Sequence, residues 1–236
     1  MANLDVSKFF PDQRVDGDFT ECCGLTIADI MGNKDGVLYD PDFAYSMGLY
    51  IRGQQPSTAG EDPYWTMAGA VSYGALSVSL ETFTAKTMGE LYASNYNNYT
   101  ALQKSSALSH VENGFKALYT IDDIKTYMLQ YRMGASLAMH WYQSFMTPNP
   151  DGSLPQPSGQ FSYHNVAVYD AGDKGLMIKP WLGANFGDGG YVYLSPALFD
   201  QVFVEAYGFT LDSNRFFSQL KIMVLQLQYG LSLLKR

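Results

Sequence analysis

The chain has 236 residues, of which 47% are hydrophobic and 16% charged, as in globular proteins with one large domain or two small ones. Its net charge of −8 and its 15 scattered lysines and arginines exclude binding to a nucleic-acid backbone, which requires clustered positive charge. The N-terminus lacks the basic and apolar segments of a signal peptide, and no apolar run reaches membrane-spanning length. We therefore expect a cytoplasmic protein, in its own cell or a host cell, with no membrane span and no nucleic-acid partner.

The first predicted helix follows a polar, turn-rich start over residues 1–21. From Cys22 to Gly32, small and apolar residues recur at helical spacing and end in glycine, which predicts a tightly packed helix. Cys22 and Cys23 are adjacent, and because a vicinal disulfide is strained we expect two thiols. Cys22 has two interpretations: a small buried side chain, or a reactive thiol whose thiolate the helix N-terminus stabilises.

Three further helices are predicted in the first half of the chain. One begins at Asp40-Pro41 and ends at Gly53, and another runs from Tyr64 to Gly74. Residues 84–118 are rich in Asn, Tyr and Ser, which indicates loops with one short helix from Ala101 to His110. We interpret His110 as a surface residue without a partner.

The second half of the chain is predicted to alternate between helix and strand. Thr120 is an N-cap for a helix that runs to Gly134, and residues 135–145 alternate well enough for a strand. His140 lies in that strand and is interpreted as a histidine on a sheet face. Residues 146–160 are rich in Pro and Gly and indicate an exposed loop.

A β-hairpin with a histidine at its start follows this loop. His164 begins a segment in which successive side chains alternate between two faces. Residues 176–179 are predicted to pair with it as the second strand, after a Gly/Asp-rich turn at residues 170–175. Pro180 and a Gly-rich segment come next, and a further strand begins at Gly189. No phosphate-binding loop, dinucleotide fingerprint or Cys/His metal spacing occurs, so we predict neither a cofactor nor a metal.

The first helix and the hairpin resemble two motifs of the papain-like cysteine peptidases. In that family the nucleophilic cysteine stands in the first turn of a helix, followed by a small residue two positions on, an apolar residue and then Ser, Thr or Ala. The general-base histidine begins a strand whose hairpin partner leads into a Gly-rich segment. The matching residues here are Cys22, Gly24, Leu25, Thr26, His164, Ile178, Lys179, Gly183 and the run Phe186–Tyr191.

The resemblance implies an α+β papain-like fold. Its helical N-terminal half would cover about residues 1–115 and its antiparallel β half about residues 116–209, with a cleft between them. Cys22 would be the nucleophile and His164 its base. Residues 210–236 lie outside this part and predict an extra amphipathic helix, which either packs on its own domain or serves docking or oligomerisation.

Two positions depart from the family pattern. Asp16 stands where the family has the glutamine that completes the oxyanion hole, and a carboxylate there would repel the developing oxyanion. Gln13 can replace that glutamine only if the loop is rearranged. Pro180 stands where the family has the asparagine that orients the histidine, and it has neither a side-chain acceptor nor a backbone N–H. Each loss, if uncompensated, would cost on the order of 100-fold in rate.

These departures lead to two hypotheses about function. The first is a papain-fold protein with a degraded site, a pseudoenzyme that acts as a structural or binding component of a larger assembly such as a bacteriophage particle. Its protein partners, among them a second copy of the chain or virion proteins, would bind through the C-terminal helix and an aromatic surface, because the chain has 18 Tyr and 14 Phe. The alternative is an active cysteine peptidase or amidase that uses a Cys22–His164 dyad. A peptide-binding groove without turnover is a third option.

Overall fold

The computed structural model of the protein describes residues 22–54, 60–78 and 96–210. The predictions made for Gln13, Asp16 and the C-terminal helix lie outside these residues. Within the described ranges, none of the helices is long and apolar enough to cross a membrane.

Three helices form the N-terminal half: α1 (Cys22–Asp35), α2 (Pro41–Arg52) and α3 (Pro63–Tyr73). The last two begin in the same way. Asp40 and Asp62 each accept a hydrogen bond from a backbone N–H of the first turn, and each is followed by proline. These caps stabilise the helix starts because the first N–H groups have no partner within the helix.

Small residues allow these helices to approach one another closely. A Cβ atom at Gly24 of α1 would lie 2.3 Å from the carbonyl oxygen of Pro41, and one at Gly69 of α3 would lie 2.9 Å from the side chain of Met47. Glycine is therefore required at both crossings by the lack of space. The close contact of α1 with α2 holds the N-terminus of α1 in a defined position.

A short helix, α4 (Ala101–Ala107), leads from this half to the sheet. It has the predicted extent within a few residues and is followed by a 3₁₀ turn over Leu108–His110. The interpretation of His110 as a residue without a partner is wrong. Its Nδ1 atom lies 2.8 Å from the hydroxyl of Tyr39, and the two rings meet edge to face. The contact joins the end of this segment to the helical half.

The C-terminal half contains a six-stranded sheet in the order β1-β6-β2-β3-β4-β5, and every neighbouring pair is antiparallel. The strands are β1 (Gly114–Leu118), β2 (Ala135–Tyr142), β3 (Phe161–Gly172), β4 (Gly175–Lys179), β5 (Val192–Leu194) and β6 (Phe203–Thr210). Two helices, α5 (Ile121–Tyr131) and α6 (Pro196–Val202), lie between strands along the chain. Helix α5 ends earlier than predicted, because Arg132 adopts a left-handed conformation with φ 54°.

The predicted hairpin is present as β3 and β4. Val168 pairs with Ile178 and Ala167 pairs with Lys179. The strand β3 begins three residues before His164, since β2 pairs with it from Phe161 onward. His164 is therefore the fourth residue of a long strand and pairs with Met139 of β2, whereas the pairing of β3 with β4 begins at Ala167.

A buried ion pair joins the helical half to the sheet. The ammonium of Lys179, at the end of β4, lies 3.0 Å from the carboxylate of Asp29 on α1, with side-chain exposures of 1% and 6%. Burial raises the pKa of Asp29 and lowers that of Lys179, and the attraction between the two charges opposes both shifts. The hydroxyl of Tyr169 on β3 also donates to Asp29. Because unpaired buried charges are costly, this contact specifies how α1 lies on the sheet.

We predict that Gly208→Ala destabilises the fold. Gly208 lies in β6, and an added Cβ would meet the ring of Tyr127 on α5 at 2.4 Å. Such overpacking costs about 1–3 kcal/mol of unfolding free energy, which urea denaturation followed by circular dichroism measures. Gly172→Ala is the matched control, since nothing lies within 4 Å of a Cβ there. Equal stability of the two variants would contradict the packing assigned to α5 and β6.

Candidate active site

The thiol of Cys22 lies at the first residue of α1. Its side chain is buried, and its sulfur accepts a hydrogen bond from the backbone N–H of Asn165 at 3.4 Å. The N–H groups of the first helical turn have no partner within the helix, and they favour a negative charge at this end. The sulfur therefore lies where two backbone features stabilise a thiolate.

The imidazole of His164 lies beside this thiol. Its Nε2 atom is 2.8 Å from the backbone carbonyl oxygen of Pro180. Because a carbonyl oxygen only accepts, Nε2 must carry a proton, which leaves Nδ1 free to exchange a proton with Cys22. The ring is 6% exposed and is covered by Trp141, whose ring meets it edge to face with 5.2 Å between centroids.

The surroundings lower the pKa of Cys22 well below its ordinary value. The largest cause is a hydrogen bond from the thiol of Cys23, followed by the hydrogen bond and the positive charge of His164 and by the N–H of Asn165. Together these effects outweigh burial, which raises the pKa. The pKa of Cys23 is raised by its hydrogen bond to Cys22 and by burial. The directions of the two pKa shifts favour Cys22 over Cys23 as the thiolate of the pair.

The proton of Cys23 has two possible acceptors. Its sulfur lies 2.9 Å from the carbonyl oxygen of Glu61, and it also lies within hydrogen-bonding reach of Cys22. A thiol has one hydrogen, so the two acceptors compete for it. Both cysteines are free, as predicted from their adjacency.

The structure supplies an orienting group at Pro180 that the sequence analysis did not foresee. Proline has no side-chain acceptor and no backbone N–H, and on that basis a loss was predicted at this position. The carbonyl oxygen of Pro180 accepts the hydrogen bond from His164 instead. The backbone thus provides the hydrogen-bond acceptor that the side chain of proline cannot provide.

A second group of contacts surrounds this hydrogen bond. Trp181 is buried and has φ 60°, and its indole N–H donates to the hydroxyl of Thr26 at 3.1 Å. The hydroxyl of Thr26 in turn donates to the carbonyl oxygen of Asn165 at 3.3 Å. Thr26 lies one helical turn after Cys22, so one side chain connects α1, β3 and the segment after β4.

A cleft of about 660 Å³ opens at Cys22 and His164. Gly60, Glu61 and Pro63 line it from the helical half, and residues of β2 and β3 line it from the sheet. Glu61 has a fully buried side chain that pairs with Arg52 at 3.2 Å, and burial raises its pKa to about 7. The cleft therefore lies between the two halves of the molecule, with the thiol and the imidazole at its floor.

The other histidine of the sheet, His140, does not line this cleft. His140 packs against the rings of Phe161 and Tyr163 on the sheet face, as interpreted from the sequence. Among the described residues, no group of three or more His, Cys, Asp or Glu side chains is placed to hold a metal ion.

Three residues of the site were missed in the sequence analysis as contributors: Trp141, Trp181 and the carbonyl of Pro180. Thr26 was recognised only as a match to the family pattern. Its position four residues after Cys22 was a usable signal, because residues four apart lie on the same helix face. Nothing in the sequence indicates which carbonyl oxygen points to an imidazole.

Comparison with known proteins shows the fold. No family model and no curated protein matches the chain. Among solved structures, xylellain, a cysteine protease from Xylella fastidiosa, has a TM-score of 0.71 at 15% identity over 88% of this chain and 85% of its own. A cysteine protease of Carica candamarcensis has a TM-score of 0.60 at 13% identity, over 83% of this chain and 90% of its own. The bromelain protease from Ananas comosus has a TM-score of 0.56 at 14% identity, over 85% and 98% respectively.

These three proteins share the arrangement described above over most of their length. The prediction of an α+β fold with a helical N-terminal half and an antiparallel sheet in the C-terminal half is confirmed. The chain has the fold of the papain-like cysteine proteases.

Proposed function

We propose that this protein is a cysteine hydrolase that cleaves peptide bonds with Cys22 as nucleophile and His164 as base. The observation that carries the proposal is the position of the His164 ring, which is hydrogen-bonded on one side to the Pro180 carbonyl and faces the Cys22 thiol on the other. This is the geometry that a thiolate–imidazolium pair requires. Two proteins with similar solved structures are cysteine proteases, which supports the same reaction class.

The proposed reaction begins with proton transfer from the Cys22 thiol to Nδ1 of His164. The thiolate then attacks the carbonyl carbon of the peptide bond, and the carbonyl oxygen becomes negatively charged. Backbone N–H groups at the start of α1, which have no partner within the helix, would donate to that oxygen. When the C–N bond breaks, His164 returns its proton to the leaving amine, and water then hydrolyses the thioester to release the acid and restore the thiol.

Pro180 takes the part of an orienting side chain in this mechanism. Its carbonyl oxygen holds the proton on Nε2 and so selects the tautomer in which Nδ1 is basic. It also stabilises the imidazolium that forms. Asp16 lies outside the described residues, so the predicted departure at the oxyanion hole stays a prediction, as does its replacement by Gln13.

A binding or structural role in a larger assembly is the second candidate. Exposed aromatic side chains beside the cleft favour it, since Phe161 is 52% and Tyr163 69% exposed and such residues are enriched at protein interfaces. The degraded site, the bacteriophage particle, the protein partners and the cytoplasmic location inferred from the sequence stay predictions. A site without turnover would still bind extended peptides.

We expect a thiol-reactive peptide electrophile to label Cys22 rapidly in the folded protein. The reaction should stop in Cys22→Ser and slow by about 100-fold in His164→Gln, because the base that forms the thiolate is lost. Mass spectrometry of tryptic peptides measures the rate and the site. His110→Gln is the matched control, since His110 bonds Tyr39 in the helical half. Labelling that occurs only after denaturation, or at a rate that does not change in His164→Gln, would favour the structural role.

The pH dependence of alkylation provides an independent measurement. The pKa of Cys22 is lowered by Cys23, His164 and Asn165. We therefore expect a reactive thiolate at pH values well below the ordinary thiol pKa of about 8.5. As the pH is increased, the rate of reaction of the wild-type protein with iodoacetamide should therefore already rise in the acidic range. In His164→Gln, two of the lowering effects are removed, so the rise should move to higher pH. Identical profiles for the two proteins would exclude the proposed pair.

A further inference from the structure

The Pro180 carbonyl can accept the hydrogen bond from His164 only if the backbone around it is held in one orientation. A carbonyl oxygen lies in the same peptide plane as the N–H of the next residue, so the plane that carries the Pro180 oxygen is set partly by the φ angle of Trp181. That angle is 60°, in the left-handed region that residues other than glycine adopt rarely.

The side chain of Trp181 is anchored at several points. Its indole N–H donates to the Thr26 hydroxyl at 3.1 Å, and its ring is 1% exposed. The ammonium of Lys179 lies 4.7 Å from the ring centroid and is itself paired with Asp29. Both Thr26 and Asp29 belong to α1, the helix that carries Cys22. The ring is therefore held by the same helix that presents the thiol.

The Thr26 hydroxyl has a second role on the side of the histidine. It donates to the carbonyl oxygen of Asn165, the residue after His164, at 3.3 Å. The backbone N–H of the same Asn165 donates to the Cys22 sulfur. A single hydroxyl thus accepts from the residue after Pro180 and donates to the residue after His164. Its two hydrogen bonds therefore connect the segment that carries the acceptor carbonyl with the strand that carries the imidazole.

We propose that Thr26 and Trp181 are positioning residues for the reaction, and that their hydrogen bond holds the Pro180 carbonyl on Nε2 of His164. The proposal rests on the proposed function for its effect on rate, while its structural part stands on the contacts alone. Neither residue touches the reacting atoms. Both act through the orientation of a backbone carbonyl that stands in place of an orienting side chain.

Thr26→Val tests this proposal because valine has nearly the same shape as threonine and lacks the hydroxyl. We expect the rate of Cys22 alkylation by iodoacetamide at pH 6 to fall roughly 10-fold to 100-fold, as for a misplaced catalytic group. With a cleavable peptide, kcat should fall by this factor while KM changes little. Thr26→Ser keeps the hydroxyl and should restore the wild-type rate.

A structural readout separates positioning from general destabilisation. In proton NMR, the Nε2–H of a histidine bonded to a buried carbonyl gives a downfield signal that exchanges slowly. We expect this signal of His164 in the wild-type protein and in Thr26→Ser, and its loss in Thr26→Val. Trp181→Phe, which replaces the indole by a smaller ring and removes its N–H, should give the same result if Thr26→Val fails to fold.

The outcomes distinguish the two proposals. A folded Thr26→Val that keeps the alkylation rate and the histidine signal would overturn the positioning role. Loss of the signal together with the predicted fall in rate supports it. If the wild-type protein shows no His164-dependent alkylation, the proposed hydrolase function fails, and the NMR signal still decides whether Thr26 and Trp181 hold the carbonyl.

Discussion

The hydrogen bond between Nε2 of His164 and the Pro180 carbonyl is the constraint on which the site depends. It selects one tautomer of the imidazole and leaves the other nitrogen free to face the thiol of Cys22. A side-chain amide can rotate to find such a partner, whereas a carbonyl is carried by the backbone and cannot. The orientation of the whole segment after β4 must therefore be fixed by the fold. The buried Trp181 lies in this segment, and the ion pair between Lys179 and Asp29 lies at its start.

The electrostatics of the site come from groups of both halves of the molecule. The helix N-terminus and Cys23 belong to α1, while the imidazole and the N–H of Asn165 belong to β3. Burial alone would keep the Cys22 thiol neutral, because a low dielectric disfavours charge. The hydrogen bond from Cys23, the hydrogen bond and charge of His164 and the N–H of Asn165 together outweigh burial and lower the pKa of Cys22. The lowered pKa of Cys22 therefore depends on groups from both the helix and the sheet.

Comparison with solved structures extends over most of the chain at 13–15% identity. Few side chains are shared at that level, so what persists is the packing of helices on an antiparallel sheet and the cleft between them. The site of this chain has a proline carbonyl near the histidine, adjacent cysteines at the helix start, and aromatic side chains beside the cleft. Fold alone does not decide activity, which depends on such local groups.

The sequence by itself determined the elements whose signals are local. The caps at Asp40 and Thr120, the hairpin around His164 and the short helix before His110 all follow from neighbouring residues, and the resemblance correctly indicated the fold class. Only the tertiary structure decided which groups meet. Every residue has a carbonyl oxygen, so no pattern could indicate that the one at Pro180 accepts from an imidazole 16 positions away, and the contact of His110 with Tyr39 was missed for the same reason. Long-range polar contacts depend on how distant segments pack, and that packing is a property of the folded chain.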